Sequence, residues 1–404
     1  MRGLIPALIG TLALAACGGG GGSLAPGTPT GPAANVQSIV VDGGPAALAN
    51  RPDVDTLFTT VTICVPGSTT NCQTIDHIQV DTGSSGLRIL ASVLTLTLPQ
   101  QMDAGGSALV ECVQFLDGFS WGPLKAADVQ VGGESASSVP VQVIGDAAYP
   151  TVPSDCSSTG PAEDTVQTFG ANGILGVGPF IQDCGSGCGT VTGNGFYYSC
   201  PTSSSCAQTT VAVGQQVTNP AALFATDNNG VIIELPSVSA TGASTVTGSI
   251  VFGIGTQSNN GLGGATVYTV DPGSGALTTQ YNGTSLTNSF IDSGSNALYF
   301  PDSSIPVCAP STTAPGFYCP TSTLSLSATI QGVNGTGANV NFSIANAVDL
   351  FDTSATIAAV SNIGAPNADG TSFDWGLPFF FGRNIYTAFE QHNTSGGEGP
   401  YFAF

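Results

Sequence analysis

Basic residues are nearly missing from this chain: five Lys and Arg stand against 26 Asp and Glu, for a formal net charge of −21 at pH 7. After Arg2 only Arg51, Arg88, Lys125 and Arg383 remain. So few scattered cations cannot neutralise a phosphate backbone, and nucleic acid is excluded as a partner. Histidine is scarcer still. A Ser-His-Asp or Cys-His arrangement would have to recruit His77 or His392, and both read as structural or solvated. No Walker A, HExxH or EF-hand loop occurs, and no cofactor is expected. No stretch reaches the roughly 18 consecutive apolar residues that a membrane-crossing helix needs. Long 3.6-period amphipathic segments are wanting too, with short candidates only near 220–226 and 384–391.

What the chain has in quantity is turn formers and β-branched residues. With 55 Gly, 26 Pro and 41% hydrophobic residues over 404 positions, it can build real cores from many short strands. The fold class expected is all-β with a few short helices. Its acidic, weakly charged character suits a protein that stays folded in acid, where protonation relieves self-repulsion, and equally suits ordinary extracytoplasmic composition.

One phrase is written twice. Asp81-Thr82-Gly83-Ser84 and Asp292-Ser293-Gly294-Ser295 each lie between two apolar stretches, so each reads as a strand entering a tight turn that exposes a carboxylate. A single Asp-Thr-Gly is a common turn, since Asp bonds its own backbone and Gly accepts positive φ. The spacing adds weight: Ile174-Leu175-Gly176 follows the first Asp by 95 residues, and Phe380-Phe381-Gly382 follows the second by 90. Two apolar residues and a glycine, almost equally far behind each turn, are what a duplicated lobe would leave. Brought face to face, the two carboxylates cannot both ionise and would share one proton between an acid and a base.

At the N-terminus, Arg2 precedes an apolar stretch from Leu4 to Ala16 that ends in Leu14-Ala15-Ala16-Cys17. It is too short to span a membrane permanently and reads as a leader. The ending resembles the bacterial lipobox, which implies residues 1–16 as signal peptide, lipid on Cys17, and 17–35 as a Gly/Pro-rich tether. Gly18 in the next position suggests outer-membrane sorting within a bacterial cell envelope. Ten further cysteines, an even number in an oxidising compartment, read as up to five disulfides. Neighbours pair as Cys64–Cys72, Cys184–Cys188, Cys200–Cys206 and Cys308–Cys319, leaving Cys112 for Cys156. Zinc competes for the Cys184/Cys188 and Cys200/Cys206 spacings, but the loop is Gly/Ser-rich and lacks nearby His, so no metal is expected.

With both Asp turns in place, residues 36–404 resemble the pepsin-like aspartic proteases. That resemblance implies two duplicated lobes, 36–255 and 256–404, facing across a cleft, in a membrane-tethered, monomeric endopeptidase acting on peptides or proteins. Asp81 and Asp292 would hold and activate water. Thr82 and Ser293 would cross-link the turns, Gly83 and Gly294 would let backbone N–H groups approach, and Ser84 and Ser295 would donate to the outer carboxylate oxygens. The flap position falls on Phe115, with Gly118 near its tip, so the ring of the family's tyrosine is kept and its hydroxyl lost. Arg88 stands where the family usually carries a tryptophan. Trp121 reads equally as a substitute lid or as core. The rival is a lapsed protease that binds peptides or proteins without cutting them.

Overall fold

The computed structural model describes residues 34–404 apart from 49–52, 116–117, 355 and 368. Cys17, the expected signal peptide and most of the expected tether thus lie outside the described residues. From Ala34 onward the chain is one compact unit. Strands dominate it, and helices are confined to short pieces such as Ala347–Thr353.

The local reason is visible in Leu57–Cys64, where Thr60 and Thr62 are part-exposed and alternate with buried Val61 and Ile63. This strand pairs with Cys72–Asp81, and Cys64 stands opposite Cys72, so their disulfide closes the hairpin loop. The hairpin delivers Asp81 at the end of its second strand.

Beyond each Asp turn the two halves repeat one pairing scheme. In the first, Cys72–Asp81 lies parallel to Gly173–Val177, with Asp81 level with Gly176, and Gly173–Val177 then pairs antiparallel with Ser85–Leu90. In the second, Thr284–Ile291 lies parallel to Asp374–Trp375, which pairs antiparallel with Leu298–Tyr299. Each post-turn strand also gains a parallel neighbour: Glu134–Ile144 for Ser85–Leu90, and Gly364–Ala365 for Leu298–Tyr299. The fold is therefore all-β and bilobal, with a duplicated core motif around each Asp.

The halves join through a shared antiparallel sheet in which Gly230–Leu235 pairs with Arg383–Ala388, placing Ile232 opposite Tyr386. Val36–Val41 and Val246–Phe252 extend the sheet on one side, and Tyr401–Ala403 and Val267–Thr269 on the other. One apolar core runs through both halves from Ile39 to Phe402. In the second half it is strongly aromatic: Phe373 stacks on Phe300 and on Trp375 at centroid distances of 4.9 and 4.0 Å.

All five expected disulfides form. Cys112–Cys156 spans 44 residues and Cys184–Cys188 only four, so chain entropy assigns them about 4 and about 2 kcal/mol. The longer bridge fastens the strand Ala108–Gln114 to the 154–157 helical turn.

Two sequence expectations change. The helical candidate at 384–391 is largely the strand Arg383–Ala388, because its apolar residues fill the shared sheet. That at 220–226 is a single 3₁₀ turn, Pro220–Leu223, capped by Asn219. More consequentially, Phe380-Phe381-Gly382 is not the counterpart of Ile174-Leu175-Gly176. The strand beneath the second turn is Asp374-Trp375-Gly376, since Ile291 pairs with Trp375 and the Asp292 N–H donates to the Trp375 carbonyl at 3.1 Å. The glycines make the same case. A Cβ on Gly176 would stand 2.6 Å from Ser85 N, and one on Gly376 would stand 2.1 Å from Ala297 O. Both threads must pass their turn without a side chain. Phe380 and Phe381 instead pack in the core before the chain enters the shared sheet.

Candidate active site

Asp81 and Asp292 are held alike by their own turns. The Gly83 N–H donates to Asp81 Oδ1 at 2.6 Å, and the Ser84 hydroxyl donates to Asp81 Oδ2. The Gly294 N–H donates to Asp292 Oδ1 at 2.7 Å, and the Ser295 hydroxyl to Asp292 Oδ2 at 3.0 Å. Beneath them the turns cross-link reciprocally. The Thr82 N–H donates to Ser293 Oγ at 3.1 Å, and the Ser293 N–H to Thr82 Oγ1 at 2.9 Å. Each hydroxyl then donates onward across the junction, Thr82 to the Ile291 carbonyl at 3.1 Å and Ser293 to the Val80 carbonyl at 2.8 Å. Thr82 and Ser293 are almost fully buried, so these bonds fix the register of the two turns without competition from water.

The glycines set the approach. A Cβ on Gly83 would stand 2.7 Å from the Asp292 carboxyl carbon, and one on Gly294 would stand 2.6 Å from Asp81 Oδ1. Each glycine therefore faces the opposite carboxyl, and any larger residue would force the pair apart.

Asp292 holds its proton well above the usual carboxylate range, first because it is withdrawn from water and then because Asp81 and Asp374 add negative charge. Part of its surface stays open, but enough protein surrounds the carboxyl for burial to dominate. An ionised and a protonated carboxyl within hydrogen-bonding reach can accept a proton from water and donate one to a carbonyl in the same event.

Asp374 is the site residue that sequence reasoning missed. It is 1% exposed, and neither carboxyl oxygen makes a hydrogen bond of good geometry. Its signal was an acid inside the apolar run Phe373-Asp374-Trp375.

Phe115 and Gly118 close the hairpin between strands Ala108–Gln114 and Phe119–Val131, where the Phe115 N–H donates to the Gly118 carbonyl at 2.8 Å. The Phe115 ring packs edge-on against Phe169. A Cβ on Gly118 would meet the Pro161 carbonyl at 2.6 Å. Of the two readings of Trp121, its side chain takes the core one. It is buried with Cys112, Cys156 and Tyr198, and its indole N–H donates to the Tyr149 carbonyl at 3.0 Å.

Arg88 is also buried, and its Nη2 donates to Glu111 Oε1 and Asp183 Oδ2, each at 2.9 Å. The Tyr197 hydroxyl completes the cluster with a 2.6 Å bond to Asp183 Oδ1. Burial raises the Glu111 carboxyl well above its usual range, against the opposing pull of Arg88. One guanidinium thus ties the strand leaving the first Asp turn to a strand of the Phe115 hairpin. Arg88→Met is expected to cost about 3–5 kcal/mol of unfolding free energy in denaturant titration, because it strands buried carboxyls without their cation. A loss under about 1 kcal/mol would show that the cluster adds little.

His77 lies between Asp42 and Asp76, at 3.4 and 3.0 Å, and so is engaged as a structural group. A cavity of about 490 Å³ lies on the second half, lined by Phe342, Trp375, Phe379 and Arg383 among others; none of its lining residues belongs to the two Asp turns.

No curated protein matches the chain. Among solved structures it is similar to the aspartic proteinase from Irpex lacteus, at 14% identity and a TM-score of 0.49 over 91% of this chain and 96% of that one. The chain belongs to the family described as protein of unknown function, DUF3443, whose model matches residues 31–404.

Proposed function

We propose that this protein is a pepsin-like aspartic endopeptidase, held on a bacterial envelope membrane by lipid on Cys17 and cutting peptides or proteins as a monomer. What supports the reading is the reciprocity of the two turns: each carboxyl accepts from a Gly amide and a Ser hydroxyl, and Thr82 and Ser293 exchange hydrogen bonds beneath them. In the reaction inferred, water lies between Asp81 and Asp292. Ionised Asp81 takes a proton from the water as its oxygen attacks the scissile carbonyl carbon, while Asp292 gives its proton to the carbonyl oxygen. The resulting gem-diol collapses as Asp292 takes a hydroxyl proton back, Asp81 protonates the leaving nitrogen, and the C–N bond breaks. The dyad returns with one proton shared.

A peptide mimic that sets a statine-type hydroxyl between Asp81 and Asp292 is expected to raise the melting temperature of the wild type at acidic pH, and to lose this effect in Asp81→Asn. A mimic that stabilises neither protein, or both equally, counts against the dyad. The non-cutting reading draws on Phe115, which offers the hairpin no hydroxyl, and on Arg88, whose Nη1 and Nη2 donate to Ser85, Glu111 and Asp183 within its buried cluster. It predicts peptide binding with no cleavage.

The tether is tested separately. Cys17→Ala is expected to release mature protein from membrane fractions or to block leader processing. Unchanged retention with correct cleavage would reject a lipid at Cys17.

A further inference from the structure

The two halves differ at one buried position beside the site. In the first half the thread beneath the Asp turn reads Ile174-Leu175-Gly176, with Gly176 level with Asp81. In the second, Asp374 pairs with Phe290 and Trp375 with Ile291, so Gly376 falls level with Asp292 and Asp374 takes the position of Ile174. An acid has replaced an aliphatic residue in a strand sealed by the stacked rings of Phe300, Phe373 and Trp375.

The surroundings leave that acid no counter-charge. The flanking strands Thr284–Ile291 and Leu298–Tyr299 carry no ionisable side chain except Tyr299, whose hydroxyl donates to Asn296. The charged groups that act on Asp374 are carboxylates: Asp81 disfavours its ionisation, and Asp374 in turn disfavours that of Asp292. Burial pushes its carboxyl well above the usual range, and the Ser295 hydroxyl alone favours the ion. Ser295, however, already donates to Asp292 Oδ2. Protonated Asp374 has one O–H to give, and Ser295 Oγ has a lone pair free to receive it.

We propose that Asp374 is a positioning residue which, through Ser295, makes Asp81, Asp292 and Asp374 one proton-sharing set and holds the proton on Asp292 to higher pH than two carboxyls alone would. The proposal rests on the dyad reading of the site. Three carboxyls with no cation among them tolerate about one charge, so two protons are shared among three groups. As pH rises, ionisation of Asp374 both adds negative charge and draws the Ser295 hydroxyl away from Asp292. Either change tightens the proton on Asp292.

The test is a ¹³C-carboxyl NMR titration of Asp292, assigned by its loss in Asp292→Asn, in the wild type and in Asp374→Asn, Asp374→Ile and Ser295→Ala. Asp374→Asn keeps a donor for Ser295 but cannot ionise, and is expected to lower the Asp292 midpoint by about one pH unit. Asp374→Ile copies Ile174, removes both charge and donor, and serves should the amide fail to pack. Ser295→Ala is expected to lessen the coupling. If peptide cleavage is observed, the basic limb of kcat/KM should move down with the NMR midpoint. Cleavage with an unmoved midpoint in folded Asp374→Asn and Asp374→Ile overturns this proposal and leaves the protease reading intact. A moved midpoint in a protein that cuts nothing supports the coupling and counts against the protease reading.

Discussion

Asp81→Asn and Asp292→Asn are each expected to lower peptide turnover by about a thousandfold or more while the protein stays folded. The amide matches the carboxyl in shape, so Oδ1 can still accept from Gly83 or Gly294, and the reciprocal Thr82–Ser293 bonds are untouched. What the amide lacks is the capacity to take up or release a proton in this pH range. In Asp81→Asn nothing takes the water's proton, and in Asp292→Asn nothing protonates the carbonyl oxygen. The loss should fall on kcat, with KM little changed, because the amide keeps the shape of the carboxyl and removes only its part in the proton transfers. Circular dichroism and denaturant midpoints near wild type must accompany the lost rate. A variant retaining a tenth of wild-type activity would remove its Asp from the mechanism.

The second large effect is on stability against pH. Asp55, Asp292 and Asp374 keep protons in the folded state well above the ordinary value near 3.8, chiefly because they are buried, and Glu111 does likewise. A raised folded pKa contributes stability that is fully present below the unfolded pKa and is lost as pH climbs towards the folded one. Each such group takes about 1.4 kcal/mol per pH unit over that window. Asp103, Asp155, Asp302 and Asp369 act oppositely, since hydrogen bonds lower them and their contribution is lost as pH falls through their folded values. Asp155 and Asp369 are exposed and Asp103 and Asp302 part-exposed, so solvent screening keeps their share small. Maximum stability is therefore expected at about pH 4–5, declining towards neutrality by several kcal/mol. The −21 charge strengthens the trend, because protonation relieves self-repulsion. Asp55 gives the cleanest check. Its Oδ1 accepts from the Val360 N–H at 2.7 Å, while its Oδ2 has no partner. Asp55→Asn should flatten the decline above pH 4 in urea titrations. A wild type more stable at pH 7.5 than at pH 4.5 would reverse the sign and refute this account of the buried carboxyls.

Local rules made much of this molecule readable from its residues. The two Asp-x-Gly-Ser turns were visible because their chemistry sits in four adjacent positions, and the disulfides because most join near neighbours. What escaped were pairings over long separations. Asp292 and Trp375 meet only through the parallel register of distant strands, so a nearby apolar-apolar-Gly run, Phe380-Phe381-Gly382, looked the better match. Asp374 was hidden by the same error, since no periodicity marks a lone acid in an aromatic strand. Arg88 stood out as an oddity, yet Glu111 and Asp183, which accept its hydrogen bonds from elsewhere in the chain, gave no local sign. The segment 384–391 shows a further limit. Short apolar patterns fit helix or strand, and the shared sheet decides between them.

The central claim is that Asp81 and Asp292 form a working, water-activating pair, and its most direct test is digestion of an unstructured peptide library from pH 3 to 7. Wild-type protein should cut at reproducible sites in acid, with activity falling as the shared proton is lost. Asp81→Asn and Asp292→Asn, folded and at equal concentration, should cut at none of them. Wild-type protein that leaves the library intact throughout this range, or cleavage that persists in both Asn variants, would contradict it.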